Sequence, residues 1–115
     1  MAPTNLSDYK DLYMQTAKEY VSSLSENTSL LAQNPQDLDA TKAIHMGSHS
    51  LKSQSQVMGY NDIASICLNI EKTSDAVLKG NSTFNDRAVS NIKKSVEELD
   101  EILKSIRQGQ DDTGK

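Results

Sequence analysis

Aromatic residues are almost missing from this sequence: no tryptophan, one phenylalanine and four tyrosines in 115 residues. A core without them must be built from Leu, Ile, Val, Ala and Met, which suits packed helices better than stacked strands. Proline and glycine are also sparse, with two and five copies, too few to punctuate many short strands. The single cysteine, Cys67, has no partner for an intrachain disulfide, which points to a reducing compartment. Positive charge is in deficit, with a net charge of −4. No basic stripe is therefore available to neutralise phosphates, which argues against general nucleic-acid binding. No apolar run approaches the roughly 20 residues of a membrane span. The opening stretch MAPTNLSDYK carries no signal-peptide pattern. These absences predict one small cytoplasmic domain with no membrane segment.

The residues that are present fall into four helical periods. In the first helix, about residues 5 to 33, Leu6, Tyr9, Tyr13, Ala17, Tyr20, Leu24, Thr28 and Leu31 recur at steps of three or four and form one stripe. Asn34–Pro35 breaks it. Asn34 reads as the N-cap of a second helix, with Pro35 at its first position and Asp37 near its positive end. That helix, about 35 to 58, carries the stripe Leu38, Thr41, Ile44, Ser48, Leu51, Ser55, Met58, and Gly59 is a left-handed stop. Asn61 reads as the cap of a third helix, about 62 to 79, with Ile63, Ile66, Cys67, Ile70, Ser74 and Val77 inward and Gly80 at its end. Thr83 and Asp86 resemble a capping box for a fourth helix carrying Phe84, Ala88, Ile92, Ser95, Leu99, Leu103 and Ile106, to about 107. Short connections make neighbours antiparallel. The predicted fold is all-α, an up-down-up-down antiparallel four-helix bundle over residues 1–108. The polar stretch 109–115 reads as a frayed tail or the start of a linker.

The chemistry concentrates in HSLKSQSQVMGY, residues 49–60. His49 is one step, about 100°, from the seam position Ser48, so it sits at the shoulder of the buried stripe. His45, Lys52, Ser53 and Gln56 share its face, and small polar neighbours leave the imidazole reachable by another protein. Near neutral pH an ordinary imidazole is largely unprotonated and nucleophilic. Lys52, one turn on, is placed to counter the negative charge of a phosphoryl group on the ring. Glu71 follows the core position Ile70 on the third helix, about as far beyond the turn as His49 is before it. The two should meet at one height. The carboxylate can then hold the proton on one ring nitrogen and leave the other free to attack.

These residues resemble a known family. His49–Ser50–Leu51–Lys52, then Met58–Gly59–Tyr60, then Ile63, Ile66, Cys67, Ile70 and Glu71 look like the signature of histidine phosphotransfer (HPt) domains. Upstream, Ala17–Lys18–Glu19, Leu24, Leu31, Asn34–Pro35 and Asp37 are similar to the N-terminal phosphotransfer domain of chemotaxis-type histidine kinases. The resemblance covers about residues 6 to 80. It implies a phosphoryl carrier in a two-component phosphorelay, in which His49 takes a phosphoryl group from a kinase ATP-binding domain. The group then passes to an aspartate of a response-regulator receiver domain. It further implies that Lys52 helps hold the group and Glu71 orients the ring. No Gly-rich phosphate loop and no aspartate pair for Mg²⁺ stand in the sequence, so ATP and Mg²⁺ belong to partner domains and no cofactor is expected here. Docking is expected around His45, Met46, Ser53, Gln56 and Leu68, with Met46 as an adaptable apolar contact. Two positions depart from the family. Ser53 stands where a glycine is usual, and narrows the approach path or donates a hydrogen bond to the phosphoryl group. Leu68 stands where chemotaxis kinases carry a second histidine, and the Cys67 spacing leans toward the modules of hybrid kinases.

Two other readings compete. His45 and His49 form an H-x-x-x-H pair that could chelate zinc, but Met46–Gly47–Ser48 lacks the glutamate of a zinc protease, and no metal site is expected. The remaining alternative is a helical adaptor that docks signalling partners without chemistry.

Overall fold

The computed structural model describes residues 6–109, with side chains from residue 9 onward. The seam assignment of the Leu6 side chain and the reading of 110–115 as a tail lie outside the described residues. Four helices follow in order: α1 (Leu6–Gln33), α2 (Leu38–Val57), α3 (Asn61–Leu78) and α4 (Asp86–Arg107). They form the antiparallel bundle that the hydrophobic periods predict. Each helix packs on its chain neighbour, and α4 closes back onto α1. The α2–α3 pair is the most extensive and the α3–α4 pair the least.

Three helix starts differ from the sequence reading. Asp37, not Asn34, caps α2, and its side chain accepts from the Ala40 N–H at 3.0 Å. Asn34 instead opens a β-turn with Pro35 second: its carbonyl accepts from the Asp37 N–H at 3.0 Å and its side chain from the Gln36 N–H at 3.1 Å. Proline's fixed φ suits that turn position as well as it suits a first helical turn, so the dipeptide alone does not choose. Tyr60, not Asn61, is the N-cap of α3, and it caps without a side-chain bond. Asn85, not Thr83, caps α4, accepting from the Ala88 N–H at 2.8 Å. Phe84 is therefore a buried residue just before α4 rather than within it.

The connection between α2 and α3 sets the geometry of everything that follows. Gly59 has φ 77, and its N–H donates to Gln56 O at 3.1 Å while the Tyr60 N–H donates to Ser55 O at 2.8 Å. This is a Schellman stop, which needs a left-handed residue that glycine adopts without a Cβ penalty. Tyr60 then opens α3, and its carbonyl accepts from Ala64 N–H at 3.1 Å. One residue thus ends α2's cap and begins α3, which leaves no slack in their relative height.

Leu24, Leu31, Ile44, Leu51, Ile63, Ile70, Leu99 and Ile106 fill the interior. Truncating one such side chain to alanine typically costs about 2–5 kcal/mol. The small polar residues of the α2 and α3 seams are inside too. Ser48 bonds Ile44 O, Ser74 bonds Ile70 O, and Ser55 pairs with the Tyr13 hydroxyl at 2.7 Å. No buried side-chain polar atom lacks a partner among the described residues. The stripes err at their margins: Tyr9 and Leu38 are 46% and 53% exposed, while Val21, Ala64 and Val96 are buried without having been assigned to the seam. Tyr9 lies near the start of α1 and Leu38 opens α2, where fewer neighbours cover a side chain.

Candidate functional site

Counted from Tyr60, His49 lies eleven residues back along α2 and Glu71 eleven residues forward along α3. Antiparallel helices hinged at one residue place such positions side by side. The His49 Nδ1 and Glu71 Oε2 atoms are 2.5 Å apart. The other carboxylate oxygen, Oε1, accepts from Lys52 Nζ, also at 2.5 Å. The structure therefore brings together all three residues of the predicted centre.

Their exposures separate their possible jobs. The His49 side chain is 57% exposed, whereas those of Lys52 and Glu71 are 18% and 13% exposed. Lys52 is largely buried because its ammonium ends on Glu71. Burial pushes the Glu71 carboxyl up, but the hydrogen bonds from Lys52 and His49 outweigh it and hold the group below the ordinary carboxylate range. An ionised carboxylate is only an acceptor, so it fixes the imidazole proton on Nδ1. The Nε2 lone pair is left pointing away from the carboxylate. A neutral, oriented ring with one free nitrogen is a nucleophile.

A second row lies one turn further from the hinge. His45 is fifteen residues before Tyr60 and Asp75 fifteen after it. His45 Nε2 sits 3.6 Å from Asp75 Oδ1, and Lys79 Nζ 2.9 Å from Asp75 Oδ2. The Lys79 hydrogen bond draws the Asp75 carboxyl below its ordinary value, against a smaller opposing effect of burial, and the His45 charge adds to it. The sequence reading named His45 but missed Asp75 and Lys79. The count from Tyr60 that pairs 49 with 71 would have found Asp75.

The remaining residues of the predicted docking set all reach the surface. Met46 is 69% exposed and Leu68 36% exposed, and Ser53 and Gln56 are exposed. Met46 and Ser53 are three and four residues either side of His49, and Gln56 is seven beyond it, so they border the ring. Cys67, between the two helices' core faces, is buried. Burial pushes its thiol up to about 12, the Glu71 charge adds to this and Lys52 opposes it, so it stays a protonated packing group.

The profile of the Hpt domain family matches residues 8–109. The chain belongs to the Hpt domain family. It is similar to the chemotaxis protein CheA of Bacillus subtilis (strain 168), 27% identical over 107 residues that make up 93% of this chain and 16% of that protein. The chemotaxis protein CheA of Halobacterium salinarum is 23% identical over 102 residues, 89% of this chain and 15% of its own length. The chain thus spans about a sixth of the length of these relatives. Among solved structures, the CheA phosphotransferase domain from Thermotoga maritima superposes with a TM-score of 0.84 at 20% identity, covering 90% of this chain and 98% of that one. That likeness establishes the fold, a four-helix bundle. No helix among the described residues is long and apolar enough to cross a membrane.

Proposed function

We propose that this chain is a phosphoryl carrier acting in the cytoplasm. His49 Nε2 takes a phosphoryl group from the ATP-binding domain of a histidine kinase, and an aspartate of a response-regulator receiver domain removes it. The observation that supports this most directly is the His49–Glu71 hydrogen bond at 2.5 Å on a ring that stays 57% exposed. Attack forms the Nε2–P bond as the bond from phosphorus to the nucleotide oxygen breaks. The Nδ1 proton remains in the hydrogen bond to Glu71, which disperses the positive charge that develops on the ring. Lys52 keeps Glu71 ionised and in place. The bundle supplies orientation, while the kinase and receiver supply ATP, Mg²⁺ and the accepting aspartate. Met46, Ser53, Gln56, Leu68 and His45 frame the surface on which both partners dock, one after the other, in small transient interfaces.

The test is phosphorylation by a histidine kinase catalytic domain with γ-labelled ATP. Acid-labile, alkali-stable label is expected on the parent chain and none on His49→Gln. Label that persists in His49→Gln, or its absence from the parent with every kinase tried while a receiver domain still binds, would establish the adaptor reading in its place.

A further inference from the structure

Once a phosphoryl group sits on His49, about two negative charges appear at an exposed nitrogen. The cation nearest in sequence, Lys52, is already held by Glu71 at 2.5 Å and is only 18% exposed. Two further basic groups lie on this face of α2: His45, four residues before His49, and Lys42, seven before it and a turn further from the ring. Residues four apart on a helix have Cβ atoms about 5–6 Å apart. Side chains on a helix lean toward its N-terminus, so the His49 ring extends over the turn that carries His45. His45 is itself restrained, with Nε2 3.6 Å from Asp75 Oδ1. At 3.6 Å this is a charge contact rather than a hydrogen bond; a neutral ring with its proton on Nε2 offers only a bare lone pair at Nδ1, which repels phosphoryl oxygens. When protonated it carries a second N–H, and Asp75 can keep the first.

Resting on the carrier reading above, we propose that His45 is a positioning residue for the phosphoryl group: as an imidazolium it stays anchored to Asp75 through Nε2 and offers Nδ1–H to the phosphoryl oxygens on His49. The charged groups around it are Asp75, with Lys79 behind it, and Glu71 on α3, and Lys42, His49 and Lys52 on α2. No charged group of α1 pairs with it among the described residues.

The experiment needs no partner protein. Potassium phosphoramidate donates to the intact chain: His49 Nε2 forms a bond to phosphorus, the donor's P–N bond breaks, and the nitrogen leaves as ammonia with a proton from solvent. Phosphorus NMR follows the phosphohistidine and carbon-detected ring signals follow His45. By Coulomb attraction across one turn in a water-like medium, phosphorylation should raise the proton affinity of His45 about tenfold. His45→Gln should slow uptake at pH 6 about threefold or more and leave it equal to the parent at pH 8.5. His45→Lys should restore the parent's rate at pH 6 and exceed it at pH 8.5, a rescue that a packing role would not give. An unchanged His45 titration after phosphorylation, equal rates at pH 6, or a defect that lysine fails to restore would each overturn the proposal. If no phosphohistidine forms on the parent chain at all, the carrier reading falls first and this inference with it.

Discussion

The two rows that cross the α2–α3 face combine the same three kinds of group, an imidazole, a carboxylate and an ammonium, and behave differently. In the row nearer the hinge, Glu71 is 13% exposed and grips both partners at 2.5 Å, with histidine and lysine both supplied by α2. In the outer row, Asp75 is 39% exposed, its histidine stands 3.6 Å away, and its lysine comes from its own helix four residues on. A carboxylate between two groups of the opposite helix cannot turn without losing one of them. A carboxylate paired along its own helix and open to water can. The same kinds of group, with a glutamate in one row and a shorter aspartate in the other, therefore fix a ring in one and merely restrain it in the other.

The comparison is broken most directly at Glu71. Glu71→Gln should lower His49 phosphorylation by about 10- to 100-fold, the worth of one charge-assisted hydrogen bond, with helical content preserved. Circular dichroism and a timed labelling assay check both halves, and an unchanged rate would detach Glu71 from the chemistry. Lys52→Ala should follow with a smaller kinetic loss and about 1 kcal/mol of stability, because it leaves Glu71 with one partner and removes a half-buried stem. Urea titration reads the second effect; a stability equal to the parent's would show the ion pair to be decorative.

Acid titration sharpens the same contrast. Glu71 is held below its ordinary value in the folded chain, so its stabilising effect is fully present above the unfolded carboxylate range of about 4.3 and is lost as pH falls through the lowered folded value. The melting temperatures of the parent and Glu71→Gln should therefore differ by a constant amount from pH 6 to 8 and converge below about pH 4. A gap that stays constant into acid would mean the carboxylate is not the source. Asp75→Asn is expected to do least: the sign is the same, but the group is open to water, so the melting temperature should move by about 2 °C or less. Thermal melts in low and high salt would show whether even that residue is screened away.

Much of this was legible in the sequence, for a physical reason. Hydrophobic period is a property of many residues at once, and four periods of it joined by short connections leave little choice of topology. The pairing of His49 with Glu71 follows from counting outward from the corner at Tyr60, just past the glycine stop. Helix starts were read less well because several residues compete for each one. Asn34 and Asp37, Asn61 and Tyr60, or Thr83 and Asn85 differ only in which backbone N–H groups the local turn exposes. Lys52 was the other blind spot. A lysine's stem is long enough to end in solvent, on a phosphoryl group or on a neighbouring carboxylate, and spacing along one helix does not decide among them. Asp75 escaped because its partner His45 had been assigned to docking rather than to a second tier of the same ladder.

Tyr60 belongs to the caps of two helices, so every cross-helix pairing on this face shares a single origin. Inserting one residue into the first turn of α3 would slide the rest of that helix by about 1.5 Å and turn it by about 100°, uncoupling both tiers in one step. The corollary is portability: the segment from His45 to Lys79 carries its own alignment, and grafted whole into another antiparallel bundle it should bring its tiers with it.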